Sequence, residues 1–368
     1  VTVDVGGHGV VSVLENGDGP VVLFRADMDA LPVREETGLS YASKVEQIGA
    51  DGTKVGVMHA CGHDIHMTHL LALGEYMASH RGLWRGTLVL VAQPAEELGR
   101  GALAMIEDGL FERFPRPDYS LALHVESSMP AGQVGLTPGW AMANVDAVDI
   151  TFFGRGGHGA RPHQAIDPII VAAEFVMAVQ TVVSRRTPAQ EAAVITVGAI
   201  RAGTKHNVIP DSAHLKITVR SYTDAVRETL LDGIRDVARG VCEVHRCDKP
   251  PAISVRENYT PAVYNDPALS ARAMGVFART LGAEHVVERA PSMGGEDFGR
   301  YGRVSGAPGL LFRLGAAPAA AWNESLQPGG APLPPLHSSR FAPDARKALP
   351  AGIRASVALL LDLMAPGN

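Results

Sequence analysis

Short apolar runs that each lead into reactive residues constrain this chain more than any other feature. Val21–Phe24 is a compact apolar strand followed at once by Arg25-Ala26-Asp27-Met28-Asp29. Thr87–Ala92 is a second, broken by Gln93-Pro94 before Glu96-Glu97, and Tyr119–Leu123 is a third that ends at His124. Val1–Val13 also reads as a strand. Between these runs, Asp64–His80 places Met67, Leu70, Leu71 and Leu73 at the spacing of a helix packed on a sheet. Strands alternating with helices predict an α/β domain. Open sheets of that class place their active sites beyond the C-terminal strand ends, which is where these polar residues fall.

The pattern changes near residue 143. Asp146–Phe153 alternates like a half-exposed strand, Pro168–Val183 is a long apolar helix, and Val194–Ala199 and His214–Arg220 read as two strands around the loop Ala202–Pro210. Asp224–Val241 reads as a second helix and Ala252–Arg256 as a last strand. The order βαββαβ is that of a ferredoxin-like module. The expected organisation is therefore a catalytic domain, 1–142 and 257–368, with a lid or dimerisation domain, 143–256, inserted in it. The chain then returns to a helix, Pro267–Leu281, and a strand, Gly309–Arg313, before the Ala-, Pro- and Gly-rich stretch Ala316–Pro335, expected to be a loop.

With 368 residues the chain is long enough for two domains. A formal charge of -6 without a Lys/Arg block argues against a nucleic-acid partner, and 5% aromatic residues offer few stacking platforms. The three cysteines, Cys61, Cys242 and Cys247, do not form a disulfide framework and suit a reducing, cytoplasmic setting. No uninterrupted apolar run has the length of a membrane span, so no membrane association is expected.

The strongest chemical signal is Met58-His59-Ala60-Cys61-Gly62-His63-Asp64. A thiolate and an imidazole two residues apart can share a transition metal, and Gly62 lets the backbone bend between them. Alone, such a pair is more often a core cysteine beside a surface histidine. Here Glu97, His124 and His337 add three more candidate ligands. Five exceed what one four-coordinate zinc with an open position needs, so two divalent ions, zinc, manganese or cobalt, are expected. Glu96, beside the ligand Glu97, suits a general base; the alternative is that the two glutamates form a solvated helix start.

These motifs resemble the amidohydrolase family of hippurate hydrolases, bacterial aminoacylases and plant auxin-conjugate hydrolases, within the aminoacylase and carboxypeptidase clan of dinuclear metallopeptidases. The resemblance runs from Arg25-Ala26-Asp27-Met28-Asp29-Ala30-Leu31-Pro32 through His59-Ala60-Cys61-Gly62-His63-Asp64, Gln93-Pro94-Ala95-Glu96-Glu97 and Ala122-Leu123-His124. It continues with Gly156-Gly157-His158-Gly159-Ala160-Arg161-Pro162-His163, His206-Asn207-Val208-Ile209-Pro210, Gly294-Gly295-Glu296-Asp297-Phe298 and Leu336-His337-Ser338. It implies a mixed-sheet catalytic domain with the inserted lid, and an enzyme hydrolysing N-acyl amino acids. Cys61, His63, Glu97, His124 and His337 would hold the metals and Glu96 would shuttle the proton. His158 would reach a neighbouring subunit's site to stabilise an oxyanion, which requires at least a homodimer. His206, Asn207 and Arg220 would meet the substrate, and Gly294-Gly295 would let backbone approach it. Asp29 would orient a ligand, and Asp27 would either do likewise or cap a loop. On residue type alone, His158 and His163 could be solvated, Asn207 a turn residue and Arg220 a surface ion pair. Members of the family usually carry a further N-terminal helix with a His-x-x-Pro-Glu stretch, which this sequence does not contain. A dipeptidase or carboxypeptidase of the same clan, and a metal-binding protein without activity, are the competing readings.

Overall fold

The computed structural model describes residues 1–49 and 52–366, which form two compact units. The first comprises Val1–Ala141, Val263–Pro291 and Glu296–Asn368, and the second Met142–Ala262 and Ser292–Gly295.

An eight-stranded mixed sheet organises the first unit. Its order is Thr2–Val5, Gly9–Asn16, Gly86–Gln93, Val21–Asp27, Tyr119–Pro130, Gly309–Ala317, Val134–Leu136 and Val286–Glu288. The four central strands, from Gly86–Gln93 to Gly309–Ala317, run parallel. Alternation along Val21–Asp27 gives the two faces different work. Val22, Phe24 and Ala26 join Leu70, Leu73 and Met77 of the helix His63–Ser79, Phe277 of Pro267–Leu281, and Leu359, Leu360 and Leu363 of Ala345–Leu363 in one apolar cluster. Arg25 and Asp27 share the alternate register and are fully buried.

The second unit has a four-stranded antiparallel sheet in the order Ala193–Ala202, Ser212–Ser221, Asn144–Phe153, Ala252–Val255. Its core joins Val148, Ile150, Phe152, Ile217 and Val219 to Val171 and Phe175 of the helix Pro168–Ala178 and to Leu230 and Ile234 of Asp224–Val244. This is the ferredoxin-like βαββαβ arrangement.

Several elements depart from expectation. The first strand is two, Thr2–Val5 and Gly9–Asn16, because Gly6 and Gly7 take positive φ and turn the chain. His124 does not end its strand: Tyr119–Pro130 continues for six residues beyond it, paired to Gly309–Ala317. The helix expected over Pro168–Val183 is α-helical to Ala178, with a π turn at Val182–Arg186. By length and mean hydropathy, 1.4, the stretch Pro168–Arg186 could cross a membrane, yet Val171, Phe175, Val179 and Val182 are buried in the second unit's core. The stretch Ala316–Pro335 is not all loop, since Ala316 and Ala317 complete a strand and Ala319–Ser325 is helical.

Candidate metal centre

Cys61 and His63 are brought together by a sharp bend. Gly62 has φ 77° at the N-terminus of the helix His63–Ser79, and a Cβ there would lie 2.4 Å from Val125 Cγ2. Gly62→Ala is therefore expected to cost on the order of 2 kcal/mol, from left-handed backbone strain and overpacking. Urea unfolding of the variant measures it.

Asp29 holds His63 and Glu97, each of which keeps one buried atom without a hydrogen-bond partner. His63 Nδ1 donates to the Asp29 carbonyl at 2.9 Å and lies 3.2 Å from Asp29 Oδ1, while its buried Nε2 has no hydrogen-bond partner. The Glu97 amide donates to Asp29 Oδ2 at 3.0 Å, and Glu97 Oε1 is likewise buried without a hydrogen bond. Asp29 thus ties together the neighbourhoods of both groups. His124 Nδ1 donates to the Val125 carbonyl at 2.7 Å, leaving Nε2 3.6 Å from Cys61 Sγ. His337, at φ 69°, donates its backbone N–H to Ala60 O at 2.8 Å and brings Nε2 to 3.4 Å from Glu97 Oε1. Buried polar atoms without a partner, such as His63 Nε2 and Glu97 Oε1, are costly unless something binds them.

These atoms fall into overlapping groups. Cys61, His63 and His124 offer ligand atoms within 4.8 Å of one another, and so do Cys61, Glu97 and His337. The two triads share the sulfur of Cys61. Thiolate, imidazole and carboxylate donors around two adjacent positions fit a pair of borderline divalent cations.

Glu96 forms a third group with His63 and Glu97. It follows Ala95, which is held at φ 55°, a strained conformation that turns the chain at the end of the strand Gly86–Gln93. Burial, then the negative charges of Glu296 and Asp297, push the Glu96 carboxyl well above its usual range, with Arg25 opposing. Burial also raises Glu97 and the Cys61 thiol, the latter further through Glu97 and Glu96. Burial works against charge on His63, but Asp27 and Asp29 overcome it and raise its pKa to about 9. Burial would raise Asp29, yet hydrogen bonds from His63 and Glu97 hold it below the ordinary value.

Sequence reasoning passed over a buried network behind this cluster. Arg25 donates to Asp27 Oδ2 at 2.6 Å, Glu296 Oε1 at 2.9 Å, Asp297 Oδ1 at 3.1 Å and Gln93 Oε1 at 3.0 Å. Tyr301 also donates to Gln93 Oε1, at 2.8 Å. Asp27 in turn accepts from His66, whose ring stacks on His63 at 5.3 Å. The spacing of His63 and His66, three residues apart on one helix, was the available signal.

In the second unit, His158 pairs with Val208 across a two-strand ladder, and the Gly159 amide donates to Asn207 O at 2.9 Å. His158, His206 and Asn207 are all exposed on this ladder and its approach. His158 Nδ1 accepts from the Ala160 amide at 3.0 Å. Arg220 donates to Met293 O at 2.8 Å, next to Gly294, whose carbonyl accepts from Ala143. A Cβ on Gly295 would lie 2.5 Å from Val145 Cγ2, so a side chain there would require Val145 to move.

Residues 23–330 match the model of peptidase family M20/M25/M40. The chain belongs to this family. Among M20 relatives it is 40% identical over 308 residues, 83% of this chain and 78% of the other, to an N-acetyldiaminopimelate deacetylase of Shouchella clausii. It is 36% identical over 330 residues, 89% of this chain and 76% of the other, to thermostable carboxypeptidase 1 of Saccharolobus solfataricus. Among solved structures, the YXEP protein of Bacillus subtilis, described as a dinuclear metal-binding peptidase of the M20 family, matches with a TM-score of 0.78 and 28% identity, covering 99% of this chain and 87% of its own.

Proposed function

We propose that this M20 protein hydrolyses the amide bond of N-acyl amino acids or related small amides. The observation that carries the reading is the pair of ligand triads meeting at Cys61 with Glu96 beside them. Cys61, His63, Glu97, His124 and His337 are the residues that would hold two divalent ions, zinc, manganese or cobalt. Such ions, when bound, lower the pKa of a water and polarise a carbonyl. The chain's own part is proton handling and positioning. Glu96 accepts a proton from the attacking water at its carboxylate and returns it to the leaving amine, a role suited by its raised pKa. Asp29 fixes the rings and backbone that present His63 and Glu97. His206, Asn207 and Arg220 contact the substrate, and the Gly294-Gly295 turn offers it backbone.

A panel of N-acetyl, N-benzoyl and longer N-acyl amino acids, with added Mn, Co or Zn, tests this. Release of free amino acid is expected. Cleavage only of unacylated dipeptides or of peptide C-termini would favour the second reading, a dipeptidase or carboxypeptidase, which the Saccharolobus relative's name supports. Less than about one equivalent of bound metal, without activation by added ions, would favour a non-catalytic protein.

Metal loading at pH 7 should release protons, because the Cys61 thiol and the His63 ring both carry one in the metal-free protein. Affinity is expected to rise with pH and to fall steeply on acidification. Titration calorimetry in buffers of differing ionisation enthalpy measures the release, and zero release would contradict the ligand set.

The working unit is proposed to be a cytoplasmic homodimer joined through residues 143–256, with His158 stabilising the oxyanion in the partner's site. Exposed Ile169, Ile170 and Met177 on one helix, and Ile200 on the edge strand Ala193–Ala202, support such an interface. Mixing His158→Ala chains with Glu96→Ala chains should restore part of the activity. No recovery in proven hybrids would remove the trans role.

A further inference from the structure

His66 is fully buried, and neither its charge nor its ring contacts are used by the proposed hydrolysis. Its two nitrogens have different partners. The Val125 amide donates to His66 Nε2 at 2.9 Å, so that nitrogen carries the lone pair. The proton then resides on Nδ1 and is donated to Asp27 Oδ1. Asp27 is itself anchored by Arg25 through its other oxygen at 2.6 Å. Burial lowers the pKa of His66, consistent with a neutral ring.

The amide that His66 grips joins His124 to Val125, and His124 Nδ1 donates to the carbonyl of the same Val125 at 2.7 Å. A continuous line therefore runs from Arg25 through Asp27 and His66 to the backbone of residues 124 and 125. We infer that His66 is a positioning residue, which sets the peptide carrying His124 so that His124 Nε2 faces Cys61 Sγ. This deepens the metal reading and rests on it. Without that acceptor the buried Val125 amide is unpaired, and the local shift that satisfies it would move the His124 ring from its place 3.6 Å from the sulfur. The histidine tautomer matters here because only a ring with one donor and one acceptor can bridge a carboxylate and an N–H. A lysine or arginine at this place could not accept from Val125.

Binding of cobalt(II) alone tests the inference. His66→Leu, which fills the space but breaks both bonds, is expected to weaken cobalt binding about 10–100-fold and to shift the visible absorption of the bound ion. His66→Gln, which keeps one donor and one acceptor, should recover most of the affinity and the wild-type spectrum. Loss of core packing alone would lower the urea midpoint without changing that spectrum. A folded His66→Leu chain with wild-type affinity and spectrum would overturn the inference while leaving the metal reading intact. A wild-type chain that takes up no cobalt would overturn both. Wild-type protein labelled with ¹⁵N-histidine and loaded with zinc gives a test independent of any variant's folding. His66 should bear its proton on Nδ1 with Nε2 bare, and an Nε2–H or doubly protonated ring would refute the proposal.

Discussion

Glu96→Gln is expected to lower kcat by about a thousandfold, with the metals retained and KM little changed. General acid–base catalysis contributes about 10²–10⁴-fold, and an amide of the same shape can neither take nor return the proton. The sulfur, imidazole and Glu97 donors are untouched by the change, so metal content separates this variant from Glu97→Gln, which should lose binding and activity together. The wild-type pH profile carries a second signature. Burial and the charges of Glu296 and Asp297 raise the Glu96 carboxyl, so activity should climb with pH through a limb above the ordinary carboxylate range. A Glu96→Gln enzyme with near-normal kcat would assign the proton transfer elsewhere.

Arg25→Met is expected to have the largest effect on stability. Asp27, Glu296 and Asp297 are each at most 1% exposed, and Arg25 is the cation bonded to all three. Burial already raises Asp297 to about 7 despite Arg25, and Arg25 is what holds Asp27 well below its usual range against the same burial. Removing one partner from a buried ionic cluster costs about 3–5 kcal/mol, because the remaining charges stay desolvated. The variant should unfold at much lower urea and gain stability on acidification, as the unpaired carboxylates take up protons in the folded state. Arg25→Lys should recover only part of the loss, since an ammonium cannot reproduce the planar fork that meets several oxygens at once. Wild-type stability in Arg25→Met would mean that the acids are neutral in the native protein.

How far the sequence revealed this site follows from where each signal lies. Cys61, Gly62 and His63 are a local motif, and Glu96-Glu97 sits at the end of a strand that its own composition marks. Both needed only short-range reading. His124 was legible as a residue but not in its setting, because the extension of its strand to Pro130 is supplied by pairing with residues 309–317. Arg25 and Asp27 are two residues apart on one strand, but their links to His66, Gln93, Glu296 and Asp297 form through tertiary approach across 39 to 272 positions of chain, for which no spacing rule exists. The helix Ala345–Leu363 was not anticipated, and Pro350 within it breaks the usual pattern of a continuous helix. In the inserted segment, alternation and helical periodicity gave the βαββαβ order, while the π turn after Ala178 left no local mark.

Anomalous diffraction from crystals grown with zinc or manganese tests the central claim most directly. Two peaks about 3.5–4 Å apart are expected, with Cys61 close to both, His63 and His124 on one, and Glu97 and His337 on the other. A single peak, or ions bound away from Cys61, would contradict it.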